Sequence, residues 1–198
     1  DVRFRRLLLG GADRVEALLQ RFHQVDDLRR RFDLGGEVLS AAVSPDGSTL
    51  AFISDRTDTR QIYVISATAG EADALTSLED GVTAFAWSPD GTKIAFARSS
   101  GSFNEIYVMN ADGTNQTRFS GQPGFDPRWS PDGTKIVFVS ADIFDATTQE
   151  IYVMNADGSN VQRLTNNQTG DSNPAWSPDG SKITFTRACQ HNRCPTQQ

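Results

Sequence analysis

The chain has 198 residues, 37% of them hydrophobic and 22% charged, with a net charge of -6, enough apolar content for a packed core in one or two domains. The charge is uneven: residues 1–34 hold eight Arg against six Asp and Glu, and the remainder holds eleven basic against nineteen acidic residues. The larger part is therefore acidic and a poor match for nucleic acid.

In chain order, the first apolar run, Leu7-Leu8-Leu9, stops at Gly10-Gly11, too short for the apolar part of a signal peptide or for a membrane span, so no membrane insertion is expected. Between Asp13 and Asp33 the residues Val15, Leu18, Leu19, Phe22, Val25, Leu28 and Phe32 recur at the spacing of one helical face. This predicts an amphipathic helix over 13–33, opened by Asp13 with Glu16 three residues on and stopped by Gly35-Gly36. Its apolar face is expected to pack on the first repeat or on a partner. Arg14, Arg21, Arg29, Arg30 and Arg31 are interspersed with Glu16, Asp26 and Asp27 and read as a solvated polar face.

From residue 37 onward the chain repeats. Val43-Ser44-Pro45-Asp46-Gly47 returns as Trp87-Ser88-Pro89-Asp90-Gly91, as Trp129-Ser130-Pro131-Asp132-Gly133 and as Trp176-Ser177-Pro178-Asp179-Gly180, the serines being 44, 42 and 47 residues apart. Short runs rich in Ile, Val, Phe and Tyr alternate with turn residues, which predicts strands over 38–43, 49–54, 61–66 and 72–76, then 82–87, 93–98, 105–110 and 116–120. The third unit gives 126–129, 135–140, 150–155 and 161–165, and the fourth only 173–176 and 182–187. Each Ser-Pro-Asp-Gly reads as a hairpin turn: Pro presets one dihedral, Asp bonds the local backbone and Gly accepts positive φ. Asn110-Ala111-Asp112-Gly113 and Asn155-Ala156-Asp157-Gly158 read the same way. Four-stranded antiparallel units of this length are propeller blades, each buried on both faces, so the expected class is an all-β propeller of about three and a half blades behind a short helical segment. Trp87, Trp129 and Trp176 share one register and Tyr63, Tyr107 and Tyr152 another, which suits packing between blades rather than a ligand cage.

The string WSPDGTKIAF followed by EIYVMNADGTN resembles the WD-repeat-like propeller unit of the TolB family, over residues 37–187. The resemblance divides the chain into a helical segment (1–36), the propeller blades (37–187) and a tail with two cysteines (188–198), and implies a parent of six to eight blades. Among proteins with such blades are periplasmic TolB, whose propeller docks envelope partners, sensor propellers of regulators, and the propellers that precede prolyl oligopeptidase-type hydrolases. Fold alone does not choose among them.

Catalytic groups are sparse. His23 and His191 are the only histidines and no Gly-x-Ser-x-Gly elbow occurs, so no catalytic residue, metal or cofactor is expected. Asp112-Gly113 and Asp157-Gly158 lack the further carboxylates of a calcium loop and read as turns. Cys189 and Cys194, with only His191 near, fall short of a zinc set and suit a local disulfide better than free thiols. Binding is expected on the segments joining second to third strands, 55–60, 99–104 and 141–149, which differ in length and composition. Candidate contacts there and beside them are Arg56, Arg60, Phe103, Asn104, Phe125 and Phe144. The expected function is a non-catalytic scaffold for a protein or peptide partner, periplasmic or extracellular. Alternatives are the gating propeller of a peptidase whose catalytic domain lies elsewhere and the sensor propeller of a regulator, cytoplasmic in that case. Self-association through open blade edges is expected of the isolated chain.

Overall fold

The computed structural model describes residues 37–66, 71–142 and 145–188. The first sheet joins β1 (Val38–Val43), β2 (Thr49–Thr57), β3 (Thr59–Ser66) and β4 (Asp73–Ala74). The second joins β5 (Val82–Trp87), β6 (Lys93–Ser100), β7 (Phe103–Asn110) and β8 (Thr117–Pro123). The third joins β9 (Phe125–Trp129), β10 (Lys135–Asp142), β11 (Asp145–Asn155) and β12 (Gln162–Arg163), and β13 (Asp171–Trp176) pairs with β14 (Ile183–Arg187). Every pairing is antiparallel between consecutive strands, so each sheet is a meander. Among the described residues no helix is present. The fourteen strands and the partition into three full blades and a half blade agree with the sequence reading. The predicted helix at 13–33 lies outside the described residues.

Each blade buries both faces because alternate side chains of its central strands serve different neighbours. Ala51, Ile53 and Ile62 face the second blade and pack with Val82, Phe85, Ile94 and Phe96. Ala95, Ala97, Ile106 and Val108 leave the other side of that blade and pack with Ile136, Phe138 and Met154 of the third. Val137, Val139 and Ile151 continue to Ile183 and Trp176 of the fourth. Within each full blade a phenylalanine of the second strand stacks on a tyrosine of the third: Phe52 on Tyr63 at 5.7 Å, Phe96 on Tyr107 at 5.6 Å and Phe138 on Tyr152 at 5.8 Å between centroids.

The tryptophans join blades, as their register suggested. Trp87 Nε1 donates to the Ala42 carbonyl (3.2 Å), Trp129 Nε1 to that of Ala86 (3.3 Å) and Trp176 Nε1 to that of Arg128 (3.3 Å). Each acceptor directly precedes the Trp position of the blade before, so one indole both fills the seam and satisfies its own donor. The Asn-Ala-Asp-Gly turns also press on the preceding blade. A Cβ on Gly113 (φ +83°) would lie 2.9 Å from the Leu75 carbonyl oxygen, and one on Gly158 (φ +84°) 2.6 Å from that of Phe119, which fixes glycine there.

Candidate binding face

The meander gives the propeller two rims of different chemistry. One carries the Ser-Pro-Asp-Gly and Asn-Ala-Asp-Gly turns, whose polar groups are used up locally. Ser88 Oγ donates to Asp90 Oδ1 (2.6 Å) and accepts from the Lys93 amide (2.9 Å), and Asp90 accepts from the Thr92 amide (3.1 Å). Ser44, Ser130 and Ser177 repeat the pattern with Asp46, Asp132 and Asp179. Hydrogen bonds from the Ser130 and Ser177 hydroxyls, then from the Thr134 and Ser181 amides, lower the pKa of Asp132 and Asp179 to about 2. Between successive turns lie open clefts of about 420 Å³, walled by Trp129, Pro89 and Pro131, and about 380 Å³, walled by Trp176 and Pro131. Among the described residues no three His, Cys, Asp or Glu come together as a metal site.

The other rim carries the connections from second to third strand, and here the structure departs from the sequence reading. The predicted loops are mostly strand: pairing runs to Thr57↔Thr59 in the first blade, Ser100↔Phe103 in the second and Asp142↔Asp145 in the third. Backbone pairing needs no apolar side chains, so the polar ends of these strands stay in register up to tight turns at Asp58 (φ +69°) and Gly101 (φ +59°). Arg56 and Arg60 therefore sit on β2 and β3, Phe103 and Asn104 on β7, and Phe125 on β9.

The candidates separate by environment. Phe103 is 50% exposed and opens β7 next to the turn, and Arg60 is exposed on β3. Arg56 is half-buried with its guanidinium over Tyr63 (4.3 Å) and Phe52 (5.4 Å), a cation–π arrangement that leaves it along the blade rather than reaching outward. The Asn104 carbonyl accepts from the Gly124 amide (2.7 Å), which ties this hairpin to the next blade. Phe125 packs into the seams on both sides of its blade. Phe144, Cys189 and Cys194 lie outside the described residues.

Behind this rim the structure shows polar clasps that the sequence reading did not single out. The residue before each Ile-Tyr-Val is Gln61, Glu105 or Glu150. Gln61 Oε1 accepts from Thr76 Oγ1 (2.7 Å) and the Leu78 amide (3.1 Å), and its Nε2 donates to the Leu78 carbonyl (2.7 Å). Glu150, 2% exposed, accepts from Thr165 Oγ1, the Asn167 amide (2.7 Å) and Arg163 (2.9 Å). Asn167 Nδ2 also reaches Asp171 (2.8 Å), whose carboxylate is held by Arg187 through Nε (2.8 Å) and a second nitrogen (3.0 Å). The Arg187 hydrogen bond is the main cause of the lowered Asp171 pKa, against the effect of burial. Glu105 pairs with Arg118 (2.8 Å) nearer the surface. The signal available in sequence was the recurrence of Gln or Glu at 61, 105 and 150, one position before a strand core.

The family described as the TolB beta propeller domain matches residues 35–143 and 125–192. TolB from Acinetobacter baumannii superposes with a TM-score of 0.65 at 29% identity, covering 76% of this chain and 37% of its own. A protein of Agrobacterium tumefaciens provisionally named TolB gives 0.65 at 27% identity, covering 78% of this chain and 57% of its own. A stretch of 45 residues is 53% identical to the uncharacterized peptidase YuxL of Bacillus subtilis (strain 168), covering 22% of this chain and 7% of that protein. The chain thus spans less than two thirds of the length of each of these three proteins.

Proposed function

Because the chain belongs to the TolB beta-propeller domain family, we propose that it is a non-catalytic scaffold that binds a protein or peptide, in the periplasm or outside the cell, on the rim of the β2–β3 and β6–β7 hairpins. The observation that carries this reading is the contrast between rims: Phe103 stands 50% exposed beside its turn with exposed Arg60 on the neighbouring blade, whereas the opposite rim spends its carboxylates on its own turns. A rigid sheet end offering an aromatic and a cation is a common basis for a binding hot spot. Arg56, Asn104 and Phe144 extend the proposed contact set, and Phe125 supports it from the seam.

Selection of phage-displayed peptides on the purified chain tests the reading. Enriched peptides should lose affinity for Phe103→Ala and Arg60→Ala while keeping it for Lys135→Ala on the opposite rim. Peptides indifferent to both rim substitutions would remove the proposed face. Turnover of a chromogenic peptide that disappears on substitution within the repeats would remove the non-catalytic assignment.

The stretch shared with the Bacillus peptidase supports a second reading, in which this propeller gates access to a catalytic domain elsewhere in a longer protein. A nucleophile elbow encoded in frame beside these repeats would favour it.

A further inference from the structure

The sequence holds seven Asp-Gly pairs, led by Asp46, Asp80, Asp90, Asp112, Asp132, Asp157 and Asp179. Such a pair is prone to isomerise, because glycine without a Cβ lets its amide nitrogen approach the preceding carboxyl carbon. Six of the seven sit in the repeated turns, where each is restrained twice. The glycine amide donates to the carbonyl three residues back, as Gly91 to Ser88, Gly113 to Asn110 and Gly158 to Asn155, all at 2.9 Å. The carboxylate meanwhile accepts from its own turn. Asp90 takes the Ser88 hydroxyl (2.6 Å) and the Thr92 amide (3.1 Å), Asp112 the Thr114 amide (2.9 Å) and hydroxyl (2.6 Å), and Asp157 the Ser159 amide (2.9 Å). Asp46, Asp132 and Asp179 repeat the arrangement of Asp90.

Asp80-Gly81 has neither restraint. The pair lies in the connection from β4 to β5, where the first blade passes to the second. Asp80 is exposed, and among the described residues no hydrogen bond reaches its carboxylate and the Gly81 amide donates to no carbonyl. Both flanks, by contrast, are anchored. Leu78 is clasped by Gln61 through its amide (3.1 Å) and its carbonyl (2.7 Å), and the Gly81 carbonyl accepts from the Ser99 amide (3.0 Å). Gly81 (φ +77°) also presses on β3, since a Cβ there would lie 2.9 Å from the Arg60 carbonyl oxygen. The reactive pair is thus a short unbonded link between two fixed ends.

We propose that Asp80 is a site of isoaspartate formation, a slow covalent modification that the fold confines to the seam between the first two blades. The Gly81 amide nitrogen attacks Cγ of Asp80, and the new N–Cγ bond closes a five-membered succinimide as the carboxyl hydroxyl and the amide hydrogen leave together as water. Water then opens the ring at the former main-chain carbonyl of Asp80, so the chain runs on to Gly81 through Cβ and Cγ and the α-carboxylate is set free. Composition and mass return to their starting values, but the main chain is longer by one methylene. Gly81 has no room for that against Arg60, so the modified chain must give up the bond from the Ser99 amide. The freed α-carboxylate is the group that an S-adenosylmethionine-dependent isoaspartyl methyltransferase recognises, which makes a repair enzyme of that class the expected partner. The proposal does not depend on what the Phe103 rim binds.

Ageing the purified full chain in neutral buffer tests the proposal, with its proteolytic peptides mapped by electron-transfer fragmentation, which tells isoaspartate from aspartate at equal mass. Isoaspartate should accumulate at Asp80 roughly tenfold faster than at any of the six turn aspartates, the factor that two hydrogen bonds of low individual worth represent. In urea, where the turns are lost, the seven rates should converge. An isoaspartyl methyltransferase should label the aged chain, and Asp80→Glu, whose ring closure would be six-membered, should remove most of that label. Hydrogen exchange at the Ser99 amide should quicken in the aged wild type and not in aged Asp80→Glu. A turn aspartate that isomerises as fast as Asp80 in the folded chain overturns the proposal, and so does a lead of Asp80 that persists undiminished in urea. Unchanged Ser99 exchange in the modified chain overturns the link to the seam.

Discussion

At the seam between the first two blades Val82 is buried opposite Arg98, and at the seam between the last two Asp171 is buried opposite Arg187. Backbone register, strand order and rim are the same; only the chemistry differs. Val82 joins an apolar cluster with Phe85 and Phe96, and Nε of Arg98 is left buried without a hydrogen bond. Asp171 instead completes a chain of groups running from Arg163 through Glu150 and Asn167 to Arg187. The comparison shows that one blade-to-blade geometry tolerates either apolar closure or a polar one, provided the polar version satisfies nearly every member. It also locates stability: the first seam rests on buried area, the last on hydrogen bonds.

The largest expected difference follows from burial. Phe96→Ala at the first seam should cost about 3–5 kcal/mol, because a fully buried ring is lost and its cavity cannot collapse between two sheets. Phe185→Ala at the last blade, 39% exposed and without a stacked tyrosine among the described residues, should cost about 1 kcal/mol. Urea denaturation of the two variants checks this. Equal losses would mean that the last blade is packed as tightly as the first, against the exposure of Phe185.

These differences were only partly legible in sequence. The strands were readable because Ile94, Phe96, Tyr107 and their repeats force a sheet, and the tryptophans were readable as seam residues because they keep one register. The hairpin ends were not, since polar residues such as Ser99, Ser100 and Asn104 continue the ladder through their backbones. Glu150 and Asp171 escaped because a charged residue reads as surface until its partners are brought close by the fold, here Asn167 and Arg187, four and sixteen positions from Asp171. Asn115 and Asn160, just after the Asn-Ala-Asp-Gly turns, take left-handed conformations (φ +55° and +53°), which explains a second asparagine that periodicity leaves unaccounted for.

A smaller effect concerns the charge itself. Asp171→Val copies the apolar side chain of the first seam into the last and should lower stability at neutral pH by about 1–2 kcal/mol, because Asn167 and Arg187 lose an acceptor while the half-exposed Arg187 returns to solvent. Arg187→Met should lower the midpoint further, because it strands the buried Asp171 carboxylate. Acid separates wild type from Asp171→Val. The folded pKa of Asp171 lies below its ordinary value of 3.8, so its contribution is present above that pH and is lost as the pH falls through the folded value. The turn carboxylates titrate in both proteins and cancel. Wild type should therefore lose stability faster than Asp171→Val as the pH falls below the ordinary carboxylate value. Parallel losses would show that the Asp171–Arg187 bonds contribute nothing to folding.

The smallest expected effect comes from the reverse transplant. Val82→Asp and Val82→Asn both place a polar group of similar size into the first seam, so both should destabilise. They differ in one respect: an aspartate opposite Arg98 reproduces the register of Asp171 opposite Arg187, and Arg98 has an unbonded Nε to give. Asparagine offers the same carbonyl without the charge. If seam geometry is interchangeable, Val82→Asp should be the more stable of the two at pH 7 by about 1 kcal/mol, the low end for hydrogen bonds to charged groups because Arg98 is partly solvated. The advantage should vanish on acidification, when the carboxyl is neutral and the two side chains become equivalent acceptors. Paired urea titrations at neutral and acid pH measure both. If Val82→Asp is the weaker variant at pH 7, then Arg98, stacked on Tyr107 at 5.8 Å, is held too firmly by the ring to turn toward the seam, and the two seams are alike in backbone only.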